Sequence, residues 1–155
     1  MSVLFCDSSA LVKRYLHETG STWITGLLDP SGGHTVLVAE ITRVEVAAAL
    51  AARQRASNGI SLEERDRLFK LLVRHSTDEY GAVPVSVAVI DRAMLLTQRH
   101  RLRGYDAVQL AAALAANEPL VAAGLAALTF VAADDDLVAA ARAEGLPAEN
   151  PNQHL

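Results

Sequence analysis

Val3-Leu4-Phe5-Cys6-Asp7-Ser8-Ser9-Ala10-Leu11-Val12-Lys13-Arg14-Tyr15 is the stretch on which the fold turns. Val3 to Cys6 is a short apolar run without alternation, which reads as a strand buried on both faces. Ser8 to His17 places Ala10, Leu11 and Leu16 among Lys13 and Arg14, the spacing of a helix. Asp7 stands where strand hands over to helix. Such a carboxylate either caps the helix or serves as a ligand for something positive.

Working outward, the same alternation of short apolar runs and helical segments continues. Trp23 to Leu28 reads as a short helix, closed by Asp29-Pro30 and Gly32-Gly33. Thr35 to Ala39 is a second strand. Helices are expected over Thr42 to Arg55, Ser61 to Glu79, Ser86 to Arg99, Asp106 to Asn117 and Asp135 to Glu144. Further strands fall at Ala82 to Val85 and Leu128 to Ala133, with a short one near Pro147 to Asn150. Pro84 suits an edge strand. Strands separated by helices predict an α/β protein with a mostly parallel sheet covered on both faces. Residues 1–150 are expected to form one domain, and 151–155 a flexible C-terminal tail.

Composition narrows the class. The chain has 155 residues, 51% of them hydrophobic, with 14 basic against 18 acidic side chains and a net charge of -4. That excludes a binder working through bulk positive charge, although a local basic rim is compatible with it. One cysteine, Cys6, excludes an internal disulfide. The chain begins without a basic leader, and its longest uncharged run, Pro119 to Ala133, is interrupted by Gly124 and too short to span a bilayer. A soluble, cytoplasmic protein without membrane contact is the expectation.

Four acids recur at helix starts: Asp7 after the first strand, Glu45 in the first turn of the Thr42 helix, Asp106 before the Ala107 segment, and Asp134 at the end of the Leu128 strand. Each has a capping reading, including a Thr42-x-x-Glu45 capping box. Jointly they suggest more. Ligands of open parallel sheets bind outside the carboxyl ends of the strands. Carboxylates gathered there repel one another and recruit a cation. Oxygen ligands suit a hard divalent ion, Mg2+ or Mn2+, and the scattered histidines His17, His34, His75, His100 and His154 offer no zinc spacing. Asp136 extends the last acid and is the alternative ligand there.

Such a cluster suits phosphoryl chemistry with a water nucleophile, giving a 5'-phosphate and a 3'-hydroxyl. No histidine pair is placed for metal-free cleavage by a 2'-hydroxyl, and no glycine-rich phosphate loop is present. Lys13, Arg14, Arg43, Arg99, Arg101 and Arg103 recur beside the acids as candidate phosphate contacts. Ser8 and Ser9 are candidates to donate to a bound phosphate or to Asp7.

These residues resemble the PIN domain family and, within it, the VapC-like toxins of bacterial type II toxin-antitoxin pairs. The resemblance rests on Val3 to Tyr15, on Thr42-Arg43-Val44-Glu45, on Leu102-Arg103-Gly104-Tyr105-Asp106-Ala107-Val108-Gln109-Leu110-Ala111, and on Phe130 to Leu137 with Gly145-Leu146. It implies a three-layer α/β/α sandwich and a Mg2+- or Mn2+-dependent endoribonuclease with Asp7, Glu45, Asp106 and Asp134 as metal ligands. It also implies a homodimer and a cognate VapB-like antitoxin that neutralises the activity. Gln109 departs from the family by standing where many relatives carry histidine, and Ala133 where threonine or serine often precedes the last acid. The competing readings are a catalytically silent RNA- or protein-binding module, a DNase or phosphatase with the same cluster, and a protein-interaction domain in which all four acids are caps.

Overall fold

The computed structural model describes residues 2–155. Strand β1 (Val3–Cys6) lies at the centre of a five-stranded sheet. It is flanked by β2 (Thr35–Ala39) on one side and β4 (Thr129–Val131) on the other. Strand β3 (Tyr80–Val83) forms one edge and β5 (Ala148–Glu149) the other, and all pairings are parallel. Phe5 is in register with Leu37 and with Phe130, and the two phenylalanine rings stack with centroids 5.8 Å apart.

The helices are α1 (Ser8–Leu11), α2 (Ser21–Leu27), α3 (Thr42–Arg55), α4 (Leu62–Asp78), α5 (Val87–Arg99), α6 (Gly104–Ala122) and α7 (Asp135–Ala143). The two-residue period of the strands sorts them into two layers. Leu4, Cys6, Val36 and Val38 point into a core shared with α1 to α4, through Leu11, Ile24, Leu50 and Leu72. Phe5, Ala39 and Phe130 point into the opposite core, against Leu96, Leu110 and Leu137 of α5, α6 and α7. Each fully buried side chain of this size contributes roughly 1.5–3 kcal/mol, which explains why strands of two to five residues suffice. The α/β/α sandwich is therefore as expected. Cys6, in the middle of it, is fully buried, and burial together with the charge of Asp7 pushes its thiol up to about 12.

Differences from the sequence reading have local causes. The first helix ends at Leu11 and tightens into a 3-10 turn over Val12–Arg14. Polar ties then hold the chain out of the helix: Ser21 Oγ donates to the Leu16 carbonyl and accepts from the Glu18 amide. Strand β3 begins at Tyr80, earlier than expected, and includes Gly81, where a Cβ would meet Leu37 Cδ2 at 2.8 Å. Pro84 falls just beyond this edge strand. Helix α6 extends past Pro119, which sits near its end.

Of residues 151–155, expected as a flexible tail, Pro151 to His154 are folded against the body and only Leu155 is fully exposed. Pro151–Gln153 form a 3-10 turn, Pro151 is buried, and the His154 ring stacks on Trp23 at 4.0 Å. The aperiodic sequence conceals a docking segment whose partners come from α2 and the loop before it. Gly20 makes the approach feasible: its φ is +86°, and a Cβ there would lie 2.5 Å from the Pro151 carbonyl oxygen. Replacing Gly20 with alanine therefore adds strain and a clash together. Gly20→Ala is expected to lower stability by about 1–3 kcal/mol, read as a fall in the urea midpoint. An unchanged midpoint would show that the tail is not held against this loop.

Candidate metal and nuclease site

The order of the strands gathers the four acids on one rim. Asp7 follows β1 directly, and its amide continues the pairing by donating to the Val131 carbonyl of β4 at 3.0 Å. Asp134 closes the loop after β4 and precedes α7. Glu45 lies in the first turn of α3, and Asp106 in the first turn of α6. Their charges are felt across the rim: Asp106 raises the pKa of Asp7 and of Glu45, and Asp134 raises that of Asp7 and of Asp106.

Asp7 is the most constrained of the set. It is 3% exposed. Desolvation first, with the charges of Asp106 and Asp134, drives its carboxyl up to about 7 against the hydrogen bonds it accepts from Ser9 and Ala10. Glu45 and Asp106 are also raised, mainly by desolvation. Among the described residues no ion pair includes any of the four acids. Desolvated like charges that form no ion pair favour the approach of a cation.

Capping accounts for part of the pattern. Asp7 Oδ1 accepts from the Ala10 amide at 3.0 Å and from Ser9 Oγ at 2.7 Å, and Asp134 Oδ1 accepts from the Leu137 amide at 3.0 Å. Each cap uses one oxygen, and the Oδ2 atoms take no hydrogen bond among the described residues. Glu45 and Asp106 cap nothing. The N-cap residue of α3 is Ile41 and that of α6 is Arg103, and neither side chain makes a capping hydrogen bond. The expected capping box is thus corrected: Thr42 is buried, and its hydroxyl accepts from Gln109 Nε2 at 2.9 Å, a tertiary partner that the local spacing does not reveal.

The donor set fits a hard divalent cation, which prefers carboxylate oxygens. Among the described residues no three His, Cys, Asp or Glu side chains are arranged to enclose an ion. Mg2+ usually keeps several of its waters and takes one or two carboxylates directly, with substrate phosphates completing the shell. An open rim of separated acids is compatible with that mode and not with a closed all-protein cage.

Three of the six expected phosphate contacts are paired elsewhere. Lys13 is buried and paired with Glu18 at 3.2 Å; Arg14 donates to Glu79 at 2.6 Å and to the Tyr80 hydroxyl at 2.8 Å. The early end of α1 rotates both into the body, where they hold structure. Arg99 pairs with Glu144 at 2.9 Å. Arg43, Arg101 and Arg103 are exposed and make no ion pair among the described residues, and Arg103 lowers the pKa of Asp106 by its charge. Ser8 Oγ donates to Glu45 Oε1 at 3.2 Å. Ser9, besides donating to Asp7, accepts from the Ala133 amide at 2.9 Å, tying the β1–α1 connection to the one after β4. Asp136 is exposed with no side-chain hydrogen bond, while Asp135 accepts from Asn150 at 2.8 Å. Two residues escaped functional reading from sequence: Tyr105, whose hydroxyl lies 3.1 Å from Ser8 Oγ, and buried Gln109.

A parallel α/β/α sheet with carboxylates at the ends of its central strands defines a class of acid-rimmed folds. The PIN domain model matches residues 4–143, and the chain belongs to the PIN domain family. Ribonuclease VapC45 of Mycobacterium tuberculosis (strain CDC 1551) and Ribonuclease VapC49 of strain H37Rv are each 36% identical to it over 122 residues, covering 77% of this chain and 80% of the relative. Two solved structures share the fold. VapBC2 from Rickettsia felis bound to a promoter DNA fragment has a TM-score of 0.61 at 12% identity, covering 96% of this chain and 98% of that one. Mycobacterium tuberculosis VapC20, described as a sarcin-ricin loop cleaving toxin, has a TM-score of 0.58 at 14% identity, covering 94% and 96%.

Because the Asp7 carboxyl sits near 7 in the folded chain and near 4 when unfolded, folding favours its neutral form. This contribution to stability is complete below about pH 4 and is lost as pH rises through 7. Asn caps as well as Asp and carries no charge. In chelator, Asp7→Asn is expected to melt like wild type at pH 4 and several degrees higher at pH 8. Parallel melting curves across that range would contradict the desolvated, repulsive environment.

Proposed function

We propose that this chain is a divalent-metal-dependent endoribonuclease of the VapC type, a toxin held in check by a VapB-like antitoxin. The observation that carries this reading is the rim of Asp7, Glu45, Asp106 and Asp134, mutually repulsive and unpaired with any cation. Support comes from the curated relatives, both named ribonucleases, and from structural neighbours that include toxin-antitoxin complexes. A homodimer and a cytoplasmic location belong to the same proposal. Among the described residues, no helix is long and apolar enough to cross a membrane.

Asp7 Oδ2, Asp134 Oδ2 and the carboxylates of Glu45 and Asp106 would hold Mg2+ or Mn2+. When bound, such an ion supplies charge neutralisation, an acidified water and stabilisation of developing charge on phosphate oxygen. The protein's own part is to orient. Ser9 and the Ala10 amide fix one oxygen of Asp7 and leave the other facing the rim. Ser8 steadies Glu45. Arg43, Arg101 and Arg103 would contact the phosphates flanking the scissile bond. Water oxygen bonds to phosphorus, the bond from phosphorus to the 3'-oxygen breaks, and that oxygen takes a proton, leaving a 3'-hydroxyl and a 5'-phosphate. His75, His100 and His154 are engaged with Tyr15, Glu144 and Glu149, away from this chemistry. A second reading, a silent RNA-binding module, is favoured by the lack of a closed set of three ligands.

Single-stranded RNA, matched DNA and a small phosphomonoester incubated with the purified chain separate these readings. RNA cleavage is expected with Mg2+ or Mn2+, not in chelator, with product ends that carry 5'-phosphate. Asp7→Asn and Asp106→Asn should each reduce it about a hundredfold or more. RNA binding without metal-dependent cleavage would leave the silent module standing. Cleavage confined to DNA or the monoester would reassign the substrate.

A further inference from the structure

Gln109 is fully buried, its Nε2 faces the hydroxyls of Thr42 at 2.9 Å and Tyr105 at 2.8 Å, and its Oε1 has no partner. An amide nitrogen carries two protons and accepts nothing. Both are therefore committed to Thr42 and Tyr105, with Ser8 Oγ a longer third neighbour at 3.3 Å. Tyr105, having received a proton from Gln109, is left to donate its own to Ser8 Oγ at 3.1 Å. Ser8 in turn has one proton, and it goes to Glu45 Oε1 at 3.2 Å. With the amide in this orientation and Glu45 ionised, counting protons runs the series from Gln109 to Tyr105 to Ser8 to Glu45.

We propose that Gln109 and Tyr105 are positioning residues for Glu45, setting the direction of the Ser8 hydroxyl so that one carboxylate oxygen is fixed and the other is presented to the metal. The inference rests on the metal-nuclease reading. A structural amide would be expected to satisfy its own carbonyl. Here the carbonyl is left unpaired in the interior, where that costs stability, while the nitrogen serves a chain that ends on a site acid.

Mn2+ binding measured by calorimetry on the intact protein tests this without reference to turnover. Tyr105→Phe keeps the ring and removes the link. It should weaken Mn2+ about tenfold, and Gln109→Met should do the same. In a Glu45→Gln background, Tyr105→Phe should produce no further loss, because its effect passes through Glu45; a general packing defect would weaken both backgrounds alike. Wild-type-like Mn2+ affinity in Tyr105→Phe, or equal losses in both backgrounds, overturns the inference alone. No Mn2+ binding by the wild type overturns the metal reading and this inference with it.

Discussion

Everything at the site follows from the parallel pairing of one central strand with neighbours on both sides. β1 lies between β2 and β4 in a common direction, so the chain leaves β1 and β4 at the same edge and next to each other. Asp7 extends that pairing by one residue, and Ser9 bridges to the Ala133 amide. The carboxylates that end these strands are then brought together by backbone hydrogen bonds, whatever their mutual repulsion. Two apolar layers, packed on Phe5 and Leu4 from opposite faces, supply the stability that holds them there. Repulsion at the proposed site, offset by burial in the core, is the usual balance between stability and function.

The charge of the chain is also divided along the sheet. At the entry to β3, Arg14 is enclosed by Glu79, Tyr80 and, through the tyrosine hydroxyls, Tyr15 and His75. Those charges are satisfied internally. At the opposite, carboxyl edge the acids form no ion pair among the described residues, and Arg43 and Arg103, which form none there either, lie close to Glu45 and Asp106 in sequence. A net charge of -4 therefore conceals a rim whose anions and cations are both available to a ligand.

Much of this was legible in the residues. A non-alternating apolar run followed by Asp7, and another followed by Asp134, sufficed to place both acids at strand ends, and α3 has the bounds its apolar spacing predicts. What was not legible depended on distant partners. Thr42-x-x-Glu45 satisfies the capping pattern, yet Thr42 is taken by Gln109, 67 residues away. Lys13 and Arg14 follow Asp7 closely in sequence, but a helix of four residues that tightens into a 3-10 turn does not keep them on its face. Gln109 stands out in sequence only as a departure from the family's histidine, because its burial and its carbonyl without a partner among the described residues are tertiary properties. The closing segment after Asn150 has no periodicity, since its order derives from a single proline and a ring stack.

Cys6 precedes Asp7 on the central strand, and it is the chain's one cysteine. In the native fold its thiol is sealed from solvent and protonated at any physiological pH. Alkylating reagents and peroxide can reach it only when β1 parts from its neighbours. The rate at which the native protein is alkylated is thus a built-in clock for opening of the very strand that carries the most buried acid, with no probe to be introduced.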